Sequence, residues 1–122
     1  MTLPPRILIV DDDAEVASTC ARVLKGADFD CLIAYDGPSG LYLFDFHCPA
    51  LVLSDINLPA GTGFDIARHV RRVSPATPVI LMTAYHSAYV SQEAIRAGAM
   101  GYLRKPFSNT ELISSIKSFI TA

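Results

Sequence analysis

The segment Arg6-Ile-Leu-Ile-Val-Asp-Asp-Asp13 joins a short apolar run directly to three acidic residues. Its four apolar residues follow one another without polar alternation, which is typical of a strand covered on both faces in a parallel sheet. Beyond the acids, Val16, Cys20 and Leu24 recur at helical spacing. The segment therefore predicts a buried strand that enters a helix through an acidic turn.

The same alternation of strand and helix patterns recurs along the rest of the chain. Further apolar runs lie at Cys31–Tyr35, Leu51–Leu53, Pro78–Met82 and Met100–Leu103. A stretch of helical period follows each of them. Five strand–helix units in 122 residues predict a doubly wound α/β sheet. The length predicts one domain over residues 1–122.

Local signals indicate where several helices begin and end. Gly98 suits a left-handed helix end, and Thr62 suits a helix N-cap. Ser108 and Glu111 have the spacing of a capping box. The expected apolar faces are Ile66, Ala67, Val70 and Val73 in the third helix and Leu112, Ile116, Phe119 and Ile120 in the last.

Composition excludes several classes of protein. Ten basic and twelve acidic residues give a formal charge of −2, which argues against a surface for nucleic acid or anionic membranes. The apolar runs are too short to span a bilayer. Residues 1–5 show no secretory signal, and the three cysteines lack metal-site spacing, so we expect buried thiols and a cytoplasmic location.

Polar side chains follow four of the five predicted strands. They are Asp11, Asp12, Asp13, Asp55, Thr83, Ala84 and Lys105 with Pro106. In open parallel sheets, ligands bind beyond the carboxyl ends of the strands. We therefore expect these side chains to meet at one edge of the sheet.

Each of these residues also has a plainer explanation. Asp12 or Asp13 could cap the first helix, and Asp55 could be a turn residue. Thr83 could simply end a strand, and Lys105 could face solvent. Three successive acids nevertheless repel one another unless a cation lies near them, which favours a shared site.

The chemistry of such a set favours phosphoryl transfer. Carboxylates without histidine or cysteine ligands suit a hard cation such as Mg²⁺. With the charges neutralised, an ionised Asp55 could attack phosphorus, while a metal, a lysine, a hydroxyl and backbone N–H groups stabilise the phosphoryl oxygens. The sequence therefore predicts an aspartyl-phosphate site.

Four motifs in order resemble the receiver domain of two-component response regulators over about residues 6–120. They are Ile9-Val-Asp-Asp12, Leu53-Ser-Asp55 with Leu58-Pro59 and Gly63, Met82-Thr-Ala84, and Gly101-Tyr-Leu-Arg-Lys-Pro-Phe107. The resemblance implies a flavodoxin-like fold, with a five-stranded parallel sheet of order 2-1-3-4-5 between helices. It also implies a signalling phosphoacceptor, not an enzyme that acts on a separate substrate.

The resemblance assigns roles around the acidic edge. It implies that Asp55 is the phosphoacceptor and a metal ligand, and that Asp12, with Asp11, binds Mg²⁺. The backbone carbonyl of Asn57 would be a further ligand. Asp13 lies outside the family's acid pair, and we assign it to capping.

The remaining roles concern the phosphoryl group and its signal. Thr83 and the Ala84 N–H would hydrogen-bond the phosphoryl group, and Lys105 would pair with it, before a cis bond to Pro106. Tyr102 would follow Thr83 inward on phosphorylation. The output surface would comprise the fourth helix, fifth strand and fifth helix.

The resemblance also implies partners. A histidine kinase or histidine phosphotransfer protein would donate the phosphoryl group. An effector domain or a second copy would use the output surface. Ala88, Tyr89, Ala97 and Phe119 could contact such a partner there, or could be partial core.

The sequence departs from the family pattern at few positions. Leu58 stands where methionine is commoner, and Thr62 stands where an acid is common. Asn57 and Tyr85 occupy the two positions that tune phosphoryl hydrolysis in the family, and Tyr85 should hinder the path of water.

Other readings of the same residues remain open at this stage. The Asp11-x-Asp13 spacing also occurs in haloacid-dehalogenase-type phosphatases, although these normally need a longer chain and would give Asp55 no role. A flavodoxin-like electron carrier would need a phosphate loop where this chain has three acids. A degenerate receiver would serve only as an interaction module.

Overall fold

The computed structural model describes residues 3–121, in which five strands alternate with five helices. The strands are β1 (Arg6–Val10), β2 (Asp30–Ala34), β3 (Leu51–Asp55), β4 (Val79–Thr83) and β5 (Gly101–Arg104). The helices are α1 (Ala14–Gly26), α2 (Gly37–His47), α3 (Gly63–Val73), α4 (Ala88–Ala97) and α5 (Asn109–Lys117). The expectation of no secretory signal rests on residues 1–5, of which Met1 and Thr2 lie outside the described residues.

All adjacent strands pair in parallel, in the order β2-β1-β3-β4-β5. The predicted fold class is therefore confirmed. β1 has the predicted boundaries, and those of the other four strands differ from the predicted ones by one or two residues. β2, for example, ends at Ala34, and Tyr35 beyond it is 50% exposed.

Alternation along β1 divides the core into two layers. Ile7 and Ile9 pack with apolar residues of α1 and α5 on one face of the sheet. Leu8 and Val10 pack with α2, α3 and α4 on the other face. Because both faces are covered, β1 needs apolar side chains at successive positions, which is the pattern that marked it in the sequence.

Most predicted helix ends are confirmed. The Asp13 carboxylate caps α1 by accepting from the N–H groups of Glu15 and Val16. Capping boxes open α3 at Thr62 and α5 at Ser108. Gly98 ends α4 at φ 99°, in the left-handed region.

Three apolar residues lie closer to solvent than predicted. Val73 is 55% exposed because it is the last residue of α3, where the helix leaves the sheet. Phe119 is 37% exposed because α5 ends at Lys117, before it. Cys48 is exposed because it lies beyond α2 as a left-handed cap, so the expectation that all three thiols are buried was wrong.

Within residues 3–121, no helix has the length and apolar character needed to cross a membrane.

Candidate functional site

The predicted polar residues lie at the carboxyl ends of four adjacent strands. Asp11 follows β1, Asp55 ends β3, Thr83 ends β4 and Lys105 follows β5. Parallel pairing places Asp55 opposite Met82, so Thr83 lies one position further along the neighbouring strand. The sheet therefore brings these residues to one edge, as predicted.

Asp11, Asp12 and Asp55 form an acidic cluster at this edge. One carboxylate oxygen from each lies within 4.8 Å of those of the other two. Asp11 is fully buried, Asp55 is 9% exposed and Asp12 is exposed. Three carboxylates in this arrangement could hold a metal ion through oxygen ligands.

Lys105 links the two buried carboxylates of the cluster. Its Nζ donates to Asp11 Oδ2 at 2.7 Å and to Asp55 Oδ2 at 3.0 Å. Burial opposes the charge on Lys105, but these two hydrogen bonds hold its pKa above the usual lysine value. Lys105 is therefore a fixed ammonium within the cluster, and the alternative of a solvent-facing lysine is wrong.

Burial sets the direction of the pKa shift of Asp55. Removal from water raises it, the hydrogen bond and charge of Lys105 lower it, and the nearby Asp11 charge raises it again. The net pKa lies above the usual aspartate value. Burial therefore disfavours the Asp55 anion, and the Lys105 ammonium partly offsets this effect.

The loop after β3 wraps closely around Asp55. The Asn57 N–H donates to Asp55 Oδ1 at 3.2 Å, and the Gly63 N–H donates to the Ile56 carbonyl at 2.8 Å. A Cβ at Gly63 would overlap the Asp55 carbonyl oxygen and lie 2.9 Å from Ile56 Cα. Gly63 therefore lets α3 begin against the backbone of the proposed phosphoacceptor.

Thr83 and Ala84 lie where the sequence predicts them. Thr83 is 1% exposed, and its Oγ1 accepts from the Tyr85 N–H at 3.0 Å. Ala84 and Tyr85 are exposed, with Tyr85 75% accessible at the rim. The hydroxyl is thus held by the start of the loop between β4 and α4. The cis bond between Lys105 and Pro106, which the resemblance implied, is present.

Tyr102 has a partner that the sequence did not predict. Its hydroxyl lies 3.0 Å from Nδ1 of His86, and the two ring centroids are 5.4 Å apart. No spacing rule links a histidine in the loop after β4 to an aromatic residue in β5, so only the register of the two strands could have revealed this pair.

The face of α4, β5 and α5 carries several exposed apolar side chains. Tyr89 and Ile95 are each 70% exposed, and Met100 is 47% exposed. Of the four residues predicted near this face, Ala88 and Tyr89 are exposed and Phe119 is half-exposed, whereas Ala97 is buried core.

Asp13 decides against the Asp-x-Asp alternative. Its carboxylate is used in capping α1, as expected. Asp55, which that alternative left without a role, lies instead beside Asp11 and Lys105. The geometry therefore places Asp55, and not Asp13, in the acidic cluster.

Comparison with known proteins agrees with this architecture. The family model for the response regulator receiver domain matches residues 7–117. The CheY-like receiver domain protein from Methanospirillum hungatei JF-1 superposes with a TM-score of 0.90 at 30% identity, over 94% of this chain and 92% of that one. The chemotaxis regulator CheY4 of Vibrio cholerae superposes with a TM-score of 0.89 at 28% identity, over 96% and 99%.

Two curated relatives are longer than this chain. The DNA-binding response regulator MtrA of Mycobacterium tuberculosis is 35% identical over 96% of this chain and 51% of its own length. The regulatory protein AtoC of Escherichia coli is 41% identical over 92% of this chain and 24% of its own. The chain thus spans about half of the length of the first relative and about a quarter of the second. By its family match and its fold, it belongs to the response regulator receiver domains of two-component systems.

Proposed function

We propose that Asp55 accepts a phosphoryl group from a phosphohistidine on a histidine kinase or histidine phosphotransfer protein, in a reaction that needs Mg²⁺. One observation carries this proposal. The Asp55 carboxylate lies within 4.8 Å of those of Asp11 and Asp12 and accepts from Lys105 Nζ at 3.0 Å. This gathers a nucleophile, two metal ligands and a fixed cation around one point.

The chemical step is a displacement at phosphorus. An Asp55 carboxylate oxygen forms the new P–O bond as the P–N bond to the donor histidine breaks, and the leaving imidazole keeps the electron pair. The chain promotes its own phosphorylation and dephosphorylation and turns over no separate substrate. Its action is therefore that of a signalling phosphoacceptor.

The residues present fit a divalent cation. The three carboxylates and the Lys105 ammonium have a summed formal charge of −2. Every side-chain atom of the cluster that could bind a metal is a carboxylate oxygen. Asp11, Asp12 and Asp55, with the backbone carbonyl of Asn57, would hold Mg²⁺. Bound there, the ion would neutralise charge on the phosphoryl oxygens.

The other polar groups would bind the phosphoryl group itself. Lys105 Nζ is already within hydrogen-bond distance of Asp55, so it can pair with an oxygen attached there. Thr83, with its hydroxyl, ends the adjacent strand, and the Ala84 N–H follows it at the same edge of the sheet. Together they would stabilise negative charge that water would otherwise solvate.

The signal would leave through the face of α4, β5 and α5. Thr83 would move toward the phosphoryl group, Tyr102 would follow, and the equilibrium between two conformations would shift. The exposed Tyr89, Ile95 and Met100 support this face as the contact with an effector domain or a second copy. We place residues 1–122 as one receiver domain that acts in the cytoplasm, without contacting nucleic acid or membrane.

Phosphorylation with a small donor tests the assignment. The protein is incubated with acetyl phosphate and Mg²⁺, and its intact mass is measured. We expect one added phosphoryl group that hydroxylamine removes, because an aspartyl phosphate is an acyl phosphate. Chelation of Mg²⁺ should abolish the addition.

Two matched variants locate the modified residue. Asp55→Asn should lose the added mass, whereas Asp28→Asn, the same change at an exposed turn, should retain it. Labelling of the Asp55→Asn protein equal to that of wild type would overturn the proposal.

A further inference from the structure

His86 joins the loop between β4 and α4 to the proposed signalling residue of β5. The loop spans only residues 84–87, and His86 is exposed within it. Its Nδ1 lies 3.0 Å from the hydroxyl of the half-buried Tyr102, with the rings inclined at 59°. The contact spans 16 residues of sequence, so it is tertiary and depends on the positions of both strands.

The loop is anchored on both sides of His86. On one side the Tyr85 N–H donates to Thr83 Oγ1 at 3.0 Å. On the other side Ser87 Oγ accepts from the Val90 N–H at 3.1 Å and caps α4. A movement of Thr83 would therefore be passed to the loop, and so to the His86 ring that is bonded to Tyr102.

The hydrogen bond between His86 and Tyr102 occurs together with a specific set of hydrogen bonds to the Asp55 carboxylate. In this conformation Asp55 Oδ1 accepts from Asn57 N–H and Asp55 Oδ2 accepts from Lys105. Both carboxylate oxygens are thus engaged by the protein. A phosphoryl group on Asp55 would take Lys105 as its own partner and would draw Thr83 toward it, so this set of contacts belongs to the unmodified carboxylate.

We propose that His86 is a positioning residue that holds Tyr102 in the conformation of unmodified Asp55, and so opposes the conformation that binds a phosphoryl group. The proposal deepens the proposed function and rests on it. Removing the His86 side-chain bond should shift the equilibrium toward the phosphoryl-binding conformation, and the apparent affinity for a phosphoryl mimic should rise.

The hydrogen-bonding groups of Tyr102 and His86 determine which substitutions keep the bond and which remove it. Burial raises the pKa of Tyr102 above its usual value, while Arg104 lowers it, so the phenol keeps its proton near neutral pH and can donate to Nδ1. The asparagine side-chain oxygen reaches about as far from the backbone as Nδ1, whereas leucine has no acceptor. His86→Asn therefore keeps the bond, and His86→Leu removes it.

The experiment titrates each protein with beryllofluoride and Mg²⁺ and follows backbone amide signals around Asp55 by NMR. We expect about threefold tighter half-saturation in His86→Leu, because an exposed hydrogen bond contributes modestly, and near-wild-type values in His86→Asn. In a Tyr102→Phe background, His86→Leu should have no further effect. Thermal unfolding checks that every variant is folded.

Tyrosine ring labelling supplies a readout that needs no phosphoryl chemistry. The chain has five tyrosines, and Tyr102→Phe identifies the signal of Tyr102. That signal should move in His86→Leu and return in His86→Asn. If wild type fails to bind beryllofluoride, the proposed function fails, while the ring signal still decides whether the bond exists. Unchanged or weaker binding in His86→Leu, or an equal gain in the Tyr102→Phe background, would overturn the role of His86.

Discussion

Replacing Lys105 with methionine removes the ammonium group that donates to Asp11 at 2.7 Å and to Asp55 at 3.0 Å. Methionine keeps much of the length and apolar stem of lysine, so the change acts mainly on charge. Asp11 is fully buried and the Asp55 side chain is 12% exposed, so both would be left as poorly solvated anions that repel each other. The variant therefore measures how far the cluster depends on a cation.

The magnitude follows from the burial of the partners. Removing one partner of a fully buried ion pair costs about 3–5 kcal/mol. Because the Lys105 side chain is 18% exposed, water can relieve part of this repulsion, and we expect a loss of about 2–3 kcal/mol in the free energy of unfolding. A domain of this size has about 5–15 kcal/mol in total, so the variant should still fold.

Urea unfolding with chelator and with saturating Mg²⁺ is the assay. A ligand that binds only the folded state at a hundredfold excess over its Kd adds about 2.7 kcal/mol. We expect Mg²⁺ to stabilise Lys105→Met by at least about 1 kcal/mol more than wild type, because two carboxylates no longer share an ammonium. The deficit of the variant should therefore shrink when Mg²⁺ is present.

Lys117→Met is the matched control, because Lys117 is exposed at the end of α5. Its unfolding free energy should stay within about 0.5 kcal/mol of wild type, with or without Mg²⁺. If Lys105→Met loses no more than this control, or if its deficit is the same in chelator and in Mg²⁺, the acidic cluster does not depend on a cation and the reasoning is refuted.

Three further predictions test other parts of the structure. Gly63→Ala should cost about 1–3 kcal/mol by urea unfolding, because the new Cβ meets the Asp55 carbonyl, whereas Gly26→Ala, which meets nothing within 4 Å, should cost much less. Cys48 should react first with a thiol reagent, since burial raises the pKa of Cys20 to about 11; fast labelling that persists in Cys48→Ser would contradict this. The hydrogen bond from Arg68 lowers the pKa of Asp65 below 3.8, so its contribution to stability should hold above that pH and fade as the pH falls through the lowered value; an acid titration of wild type against Asp65→Asn that shows a constant difference would refute it.

The sequence predicts the sheet and its polar edge well because both follow from local patterns. The apolar run of β1 has to be continuous since both of its faces are covered, and the acids that follow it mark the end of the apolar layers. Parallel strands bring their carboxyl ends together, so Asp55 and Lys105 could be placed together although 50 residues separate them. The parallel topology thus brings residues that are distant in sequence together in one site.

What the sequence could not predict depends on where elements end and on how neighbouring elements meet. Periodicity places Val73 and Phe119 on apolar faces, but it cannot tell that α3 and α5 end where they do. Cys48 is exposed for a similar reason, since it lies beyond the last turn of α2. The bond between His86 and Tyr102 depends on the register between β4 and β5, which no local pattern encodes.

The net charge of −2 is small, but the acidic residues responsible for it are concentrated in one place. Without Asp11, Asp12 and Asp55, the chain has nine acids against ten bases, so the negative balance lies in one cluster at the sheet edge. In this cluster the bonds to Asp11 and Asp55 raise the pKa of Lys105 against the effect of its burial, and burial raises the pKa of Asp55, with a smaller contribution from the Asp11 charge. A cation that binds this cluster would relieve repulsion built into the fold, and its binding would therefore couple stability to the proposed chemistry of Asp55.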